Sequence, residues 1–155
     1  MFKAPRKIGI IALAMTLFVG VATSFPAAAA DSQSTLRADI TKATAGHKLT
    51  ADELDRMTNV ITTIKSDPEA YNLHAKKPGS FDEMVENLNS SPKIKALLDK
   101  NGFTAREYLV TSMTLARSAV ASRVGPDNMP NIDPDNVKFI RQHQEEVDAL
   151  MKTRR

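Results

Sequence analysis

The residues whose types and spacing suit chemistry lie near the C-terminus, in a segment with helical periodicity. His143 and Glu146 are three residues apart, and a helix places two such side chains on one face, where they can bind the same divalent metal ion. Ile140 and Val147 flank this pair, and the inward position between them falls on His143 or Gln144. An inward histidine is a candidate metal or haem ligand or a proton-transfer group. The other interpretation is a core or boundary residue whose ring nitrogens are satisfied by neighbours.

Arg117 is a second candidate because it is the only charged residue between Tyr108 and Ser122. In a buried helix its guanidinium can bind an anionic ligand between helices. The alternatives are an ion pair with an acidic residue, or a side chain that reaches the surface along its methylene stem. Glu107 and Tyr108 suggest acid–base chemistry, but Glu107 also fits a capping-box glutamate and Tyr108 the first large apolar contact of its helix.

No catalytic constellation accompanies these residues. The chain has no cysteine, which excludes disulfides, thiolate catalysis, cysteine–zinc sites and covalent c-type haem attachment. The sequence also lacks a nucleophile elbow, a glycine-rich phosphate loop and the Glu-x-x-His pair of di-metal bundles. His47 and His74 lie in weakly patterned segments, and three scattered histidines do not define a site. The sequence does not exclude enzyme activity, but it contains no motif that predicts one.

The sequence predicts no bound cofactor. The first alternative is non-covalent haem held by Met57 or Met113 together with His143, although methionine at core spacing usually fills the core. The second is a divalent metal held by His143 and Glu146.

Helices must position these residues, since no stretch shows sustained period-2 alternation. Residues 104–122 are apolar or small-sided almost all round, which is typical of a buried helix. Helix starts are marked by Ser/Thr-x-x-Glu capping boxes at 50–53, 80–83 and 104–107, and by cap-plus-proline pairs at 91–92 and 133–134.

We therefore predict an all-α, single-domain bundle of four to six helices around a central helix near residues 105–123. The α-helical domain spans residues 49–155, and its last helix runs from about residue 134 to 152. Residues 31–48 fit either a weak first helix or a loose N-terminal arm.

The first 30 residues are typical of a secretory signal peptide that is cleaved after Ala30. Three basic residues precede an apolar run over residues 8–22, and Ala28–Ala30 supplies the small residues of a cleavage site. This run is shorter than the roughly 20 residues that a membrane-spanning helix needs, and an uncleaved anchor is the alternative. We expect a periplasmic or secreted protein without stable membrane insertion after cleavage.

Removal of the leader changes the charge balance. Lys3, Arg6 and Lys7 account for the difference between the 21 Lys/Arg and the 18 Asp/Glu of the whole chain. The chain after residue 30 therefore has a formal net charge of zero. A nucleic-acid partner is not expected, because the basic excess belongs to the leader.

Two motif groups resemble known proteins. Gly102-Phe103-Thr104-x-Arg106-Glu107-Tyr108, followed by an Ala-rich helix and then Asn136-Val137-x-Phe139-x-x-x-His143, resembles a group of short exported helical proteins of Gram-negative bacteria that has no assigned activity. The resemblance covers residues 49–151. It carries over no catalytic residue, and it marks Glu107, Tyr108, Asn136 and His143 as residues to test.

The second resemblance concerns residues 49–53 and 103–107, which are similar to the Leu-Thr-x-x-Gln motif of periplasmic stress chaperones and metal sensors. Both segments have Glu in place of Gln, and the second has Phe in place of Leu. Thr-x-x-Glu is also a general helix start.

The functional expectation is a non-enzymatic protein that binds or supports an envelope partner, either another protein or a small ligand. One alternative is a ligand-, haem- or metal-binding bundle that uses the region of His143 and Arg117. The other alternative is a periplasmic chaperone or sensor.

Overall fold

The structure is a computed structural model that describes residues 27–72, 77–129 and 131–152. Within these ranges it contains seven α-helices and no strand, so the predicted all-α class is confirmed. The predicted leader up to residue 26 and His74 lie outside the described ranges. The helices are α1 (Ala27–Thr44), α2 (Ala51–Ser66), α3 (Phe81–Asn89), α4 (Pro92–Lys100), α5 (Ala105–Val124), α6 (Pro134–Gln142) and α7 (Gln144–Lys152), with a 3-10 turn at Pro126–Asn128.

The described chain has seven helices rather than the four to six that the sequence predicts. One difference is a break in the predicted last helix at His143, whose φ of −111° and ψ of 28° end α6. A continuous helix would have to bury His143 or Gln144 between Ile140 and Val147. The break leaves His143 half-buried and Gln144 exposed, while both apolar residues are buried. Neither His143 nor Gln144 is therefore buried between the two apolar residues, and His143 lies at the boundary of the core.

The N-terminal segment forms the helix α1. Its weak apolar pattern is sufficient because Leu36 is buried and packs with residues of α3, α4 and α5 in one core cluster. Tertiary contacts supply most of the stability of such a helix.

Local capping fixes several helix starts. Thr50 and Thr104 each form the complete reciprocal box with the glutamate three residues later. At α3 the Ser80 hydroxyl accepts a hydrogen bond from the Glu83 amide, but the Glu83 carboxylate instead accepts one from the Gly79 amide, at 2.7 Å. The predicted box at residues 80–83 is therefore only half formed.

The buried apolar residues form two clusters, and α5 contributes to both. Leu109 and Met113 belong to the first cluster, together with residues of α1, α2, α3 and α4. Leu115 and Ala119 belong to the second, with residues of α2, α6 and α7. Because α5 contributes to both clusters, side chains from distant parts of the sequence meet on it.

None of the described helices is both long enough and apolar enough to cross a membrane.

Candidate functional site

α5 carries polar side chains into the interior, although its sequence is mostly apolar or small-sided. Thr111, Thr114, Arg117 and Ser118 are each no more than 8% exposed. A buried polar group that has lost its water needs a hydrogen-bond partner in the protein. Thr111 contacts His47 in the connector between α1 and α2 and Glu53 in the first turn of α2, while Arg117 contacts Thr44 at the end of α1.

Thr111 meets His47 and Glu53 beside this connector. His47 Nε2 lies 3.2 Å from Glu53 Oε1 and 3.3 Å from Thr111 Oγ1. The distance between Thr111 Oγ1 and Glu53 Oε1 is 3.2 Å, so the three atoms form a nearly equilateral triangle. Thr111 is buried, whereas the side chains of His47 and Glu53 are 23% and 14% exposed. The triangle therefore lies at the edge of the core, within reach of solvent.

Asn136 of α6 holds the connector from the other side. Its Nδ2 donates a hydrogen bond to the His47 carbonyl oxygen at 2.8 Å, and its Oδ1 accepts one from the Leu49 amide at 2.8 Å. Asn136 is only 3% exposed. We call His47, Glu53, Thr111 and Asn136 the polar junction, since they join α2, α5 and α6 to the connector.

The carboxylate of Glu53 has two separate tasks. Oε1 faces His47 and Thr111, while Oε2 accepts hydrogen bonds from the Thr50 amide at 3.0 Å and the Thr50 hydroxyl at 3.1 Å. The capping box thus fixes the orientation of the oxygen that enters the polar junction.

A surface ion pair fastens the same connector to α6. Lys48 Nζ lies 2.7 Å from Asp135 Oδ2. The hydrogen bond between them raises the pKa of Lys48 and lowers the pKa of Asp135. Both side chains are exposed, so the pair contributes little to stability.

The geometry of the polar junction argues against nucleophilic catalysis. In a hydrolytic triad the imidazole lies between the nucleophile and the acid, using a different ring nitrogen for each. Here Glu53 and Thr111 share Nε2 of His47, and the hydroxyl of Thr111 is buried. What the arrangement can do is hold a proton or a cation between an imidazole, a carboxylate and a hydroxyl.

Arg117 is buried next to the polar junction along α5. Its Nη1 donates a hydrogen bond to Thr44 Oγ1 at 2.8 Å, and the Thr44 hydroxyl in turn donates to the Ile40 carbonyl oxygen at 2.8 Å. Burial lowers the pKa of Arg117, because removal from water disfavours the charged form. This contact ties the last turn of α1 to α5.

We expect Thr44→Val to lower the free energy of unfolding by about 2 kcal/mol, since a hydrogen bond to a charged group is lost. In an Arg117→Met background the same substitution should cost clearly less, because no buried cation then needs the hydroxyl. Urea unfolding of the four proteins of this double-mutant cycle measures the coupling. Equal costs in both backgrounds would show that the bond between the two side chains contributes nothing.

His143 and Glu146 lie on the surface near the break between α6 and α7. His143 Nδ1 is 3.4 Å from Glu146 Oε2, and the two side chains are 28% and 58% exposed. The imidazole stacks on Phe139 with ring centroids 4.4 Å apart. His143 contacts Phe139 and Glu146, whereas Arg117 contacts Thr44, so these contacts do not bring the two candidate residues together. No cluster of three or more His, Asp or Glu side chains suited to a metal occurs in the described ranges.

The two methionines of the haem alternative are core residues. Met57 is fully buried and Met113 is 4% exposed, and each packs in a different apolar cluster.

Glu107 caps the start of α5, and Tyr108 packs against a neighbouring aromatic ring. Glu107 accepts a hydrogen bond from the Thr104 amide at 2.8 Å, and this bond lowers the pKa of its carboxyl group. Tyr108 packs edge-to-face on Phe103, with ring centroids 5.9 Å apart. Neither residue belongs to the polar junction.

Asn136 is the member of the polar junction that the sequence marks as a candidate. His47 lies in a weakly patterned segment, and the sequence around Glu53 predicts only a capping residue. No sequence pattern marks Thr111, since single threonines are common in helices. The combination is visible only after folding, because Thr111 is 58 residues from Glu53 and 64 from His47.

Comparison with protein-family models, curated proteins and solved structures gives no match to this chain.

Proposed function

We propose that this chain is an exported, non-enzymatic helical protein that binds a partner protein of the cell envelope. The signal-peptide pattern of residues 1–30 supports export. The observation that carries the binding role is an apolar surface at the C-terminal end of α5.

Val120 and Val124 form this apolar surface. They are 36% and 51% exposed, the large hydrophobic residues of the described chain that remain exposed. Single exposed apolar residues are ordinary in soluble proteins. Here two lie one helical turn apart on α5, and their neighbours along the helix, Ala119, Ser122 and Arg123, line a groove.

The groove lies between α5, α6 and α7 and has a volume of about 320 Å³. Its floor is apolar and consists of Ala119, Ile140 and Val147, each no more than 3% exposed. A segment that lays apolar side chains along this floor would gain about 25 cal/mol for each Å² of apolar surface removed from water.

The polar rim of the groove indicates the charge of the partner. Arg123 Nη2 lies 2.7 Å from Asp148 Oδ1 across the groove, so each of these two charges has a partner of opposite sign. Arg141 also lines the groove and makes no ion pair within the described ranges. We therefore expect an amphipathic helix that presents small apolar side chains and at least one acidic residue, as in other helix-in-groove complexes.

Site-specific photo-crosslinking in cells tests this proposal. A photoreactive residue at Val124 should give a discrete adduct with one envelope protein, whereas the same residue at Lys93, which is exposed on α4, should give none. Val120→Glu should remove the adduct without lowering the melting temperature. The absence of an adduct at Val124, or equal adducts at both positions, would contradict the binding surface.

A further inference from the structure

We propose that the polar junction is a binding site for a divalent transition metal ion of the Zn²⁺ class, with His47 Nε2, Glu53 Oε1 and Thr111 Oγ1 as its three protein ligands. This inference is independent of the partner surface on α5. It rests on the spacing of the three atoms and on the groups that hold them.

The three contacts lie at the long end of the hydrogen-bond range. An O–H···O bond to a carboxylate is about 2.5–2.7 Å long, and a charge-assisted N–H···O bond is about 2.7–2.9 Å. The distances from Glu53 Oε1 to Thr111 Oγ1 and to His47 Nε2 are both 3.2 Å. The contact between Thr111 Oγ1 and His47 Nε2, at 3.3 Å, is also long for a hydroxyl bond.

The same spacing suits a tetrahedral metal ion. Bonds of about 2.0–2.1 Å from Zn²⁺ to nitrogen and oxygen ligands place neighbouring ligand atoms about 3.3 Å apart in a tetrahedron. The three atoms of the triangle therefore occupy the corners of one tetrahedral face. An ion placed above this face would lie within bonding distance of all three atoms.

The surrounding groups hold the ligands in the way that metal sites require. A ligating carboxylate is usually fixed by hydrogen bonds to its other oxygen, and Thr50 supplies two such bonds to Glu53 Oε2. Asn136 fixes the backbone of His47 through the bond to its carbonyl oxygen. These contacts of Thr50 and Asn136 lower the cost of organising the site.

Water would supply the fourth ligand of the proposed site. His47 and Glu53 remain partly exposed at the edge of the core, so water can complete the tetrahedron. An imidazole, a carboxylate, a hydroxyl and a water form a nitrogen–oxygen ligand set, which suits Zn²⁺ better than soft ions that prefer thiolates. The bound cation would also neutralise the half-buried Glu53 carboxylate.

Titration of the metal-free mature protein with Zn²⁺ tests the site by calorimetry, and Co²⁺ serves as a spectroscopic probe of tetrahedral coordination. We expect one saturable site in the wild type. His47→Ala and Thr111→Val should each weaken binding, His47→Ala at least tenfold. His143→Ala is the matched control, because it removes another histidine that faces a glutamate at 3.4 Å but has no third ligand.

Binding that is unchanged in His143→Ala and weakened in His47→Ala supports the site. Absence of saturable binding, or loss of binding in the His143→Ala control, would overturn it. If His47→Ala does not fold, ring-¹⁵N spectra of the wild type decide the question. Zn²⁺ must then shift the Nε2 resonance of His47, and a shift confined to the other two histidines would refute the proposal.

Discussion

Met113→Asp is expected to abolish the folded state or to lower the free energy of unfolding by about 4–5 kcal/mol, the range of severe core substitutions. Met113 is 4% exposed within the first apolar cluster. A carboxylate there must either stay charged without a partner or take up a proton, and both cost free energy. Thermal unfolding followed by circular dichroism measures the effect.

Val120→Asp is the matched control, since it introduces the same charge into the same helix seven residues further on. Val120 is 36% exposed, so its carboxylate keeps its water. We expect a cost below about 1 kcal/mol, mostly from a negative charge near the C-terminal end of α5. Similar losses of melting temperature in the two variants would show that α5 is not packed as the structure describes.

The second large effect is expected for Asn136→Ala, which should lower the free energy of unfolding by about 3 kcal/mol. The substitution removes two hydrogen bonds of 2.8 Å and leaves the Leu49 amide buried without an acceptor. An unsatisfied buried group costs about 1–3 kcal/mol in addition to the cavity. Urea unfolding at constant pH gives the value.

Asp135→Ala is the control for this prediction, because it removes the neighbouring link between α6 and the connector. Asp135 and Lys48 are exposed, and exposed ion pairs contribute little. We expect a much smaller change than for Asn136→Ala. If the two substitutions cost the same, the buried amide is not what holds the connector.

The sequence predicts those parts of the fold that depend on neighbouring residues. The capping boxes at Thr50 and Thr104 form as expected, since each needs only four consecutive residues. The break at His143 was not predicted, because it depends on how Ile140 and Val147 reach the core together. A residue pattern alone cannot weigh a broken helix against a buried histidine.

The candidate site was predicted much less well than the fold. Glu53 carries two functions on its two oxygens, and only the capping function is visible in the local sequence. The partners of Thr111 and Arg117 lie 58–73 residues away in the chain, so their identity depends on the packing of α1 and α2 against α5. The sequence marks Asn136 only through a resemblance to other proteins. Its hydrogen bonds to the connector are seen only in the structure.

The bonds of Asn136 also have a consequence for the order of folding. They join residues 87 and 89 positions apart, and the entropy of closing a loop grows with its length. Contacts between α3, α4 and α5 span far shorter stretches of chain and can form earlier. We therefore expect the connector to close on α6 after the folding transition state. Asn136→Ala should then accelerate unfolding more than it slows folding.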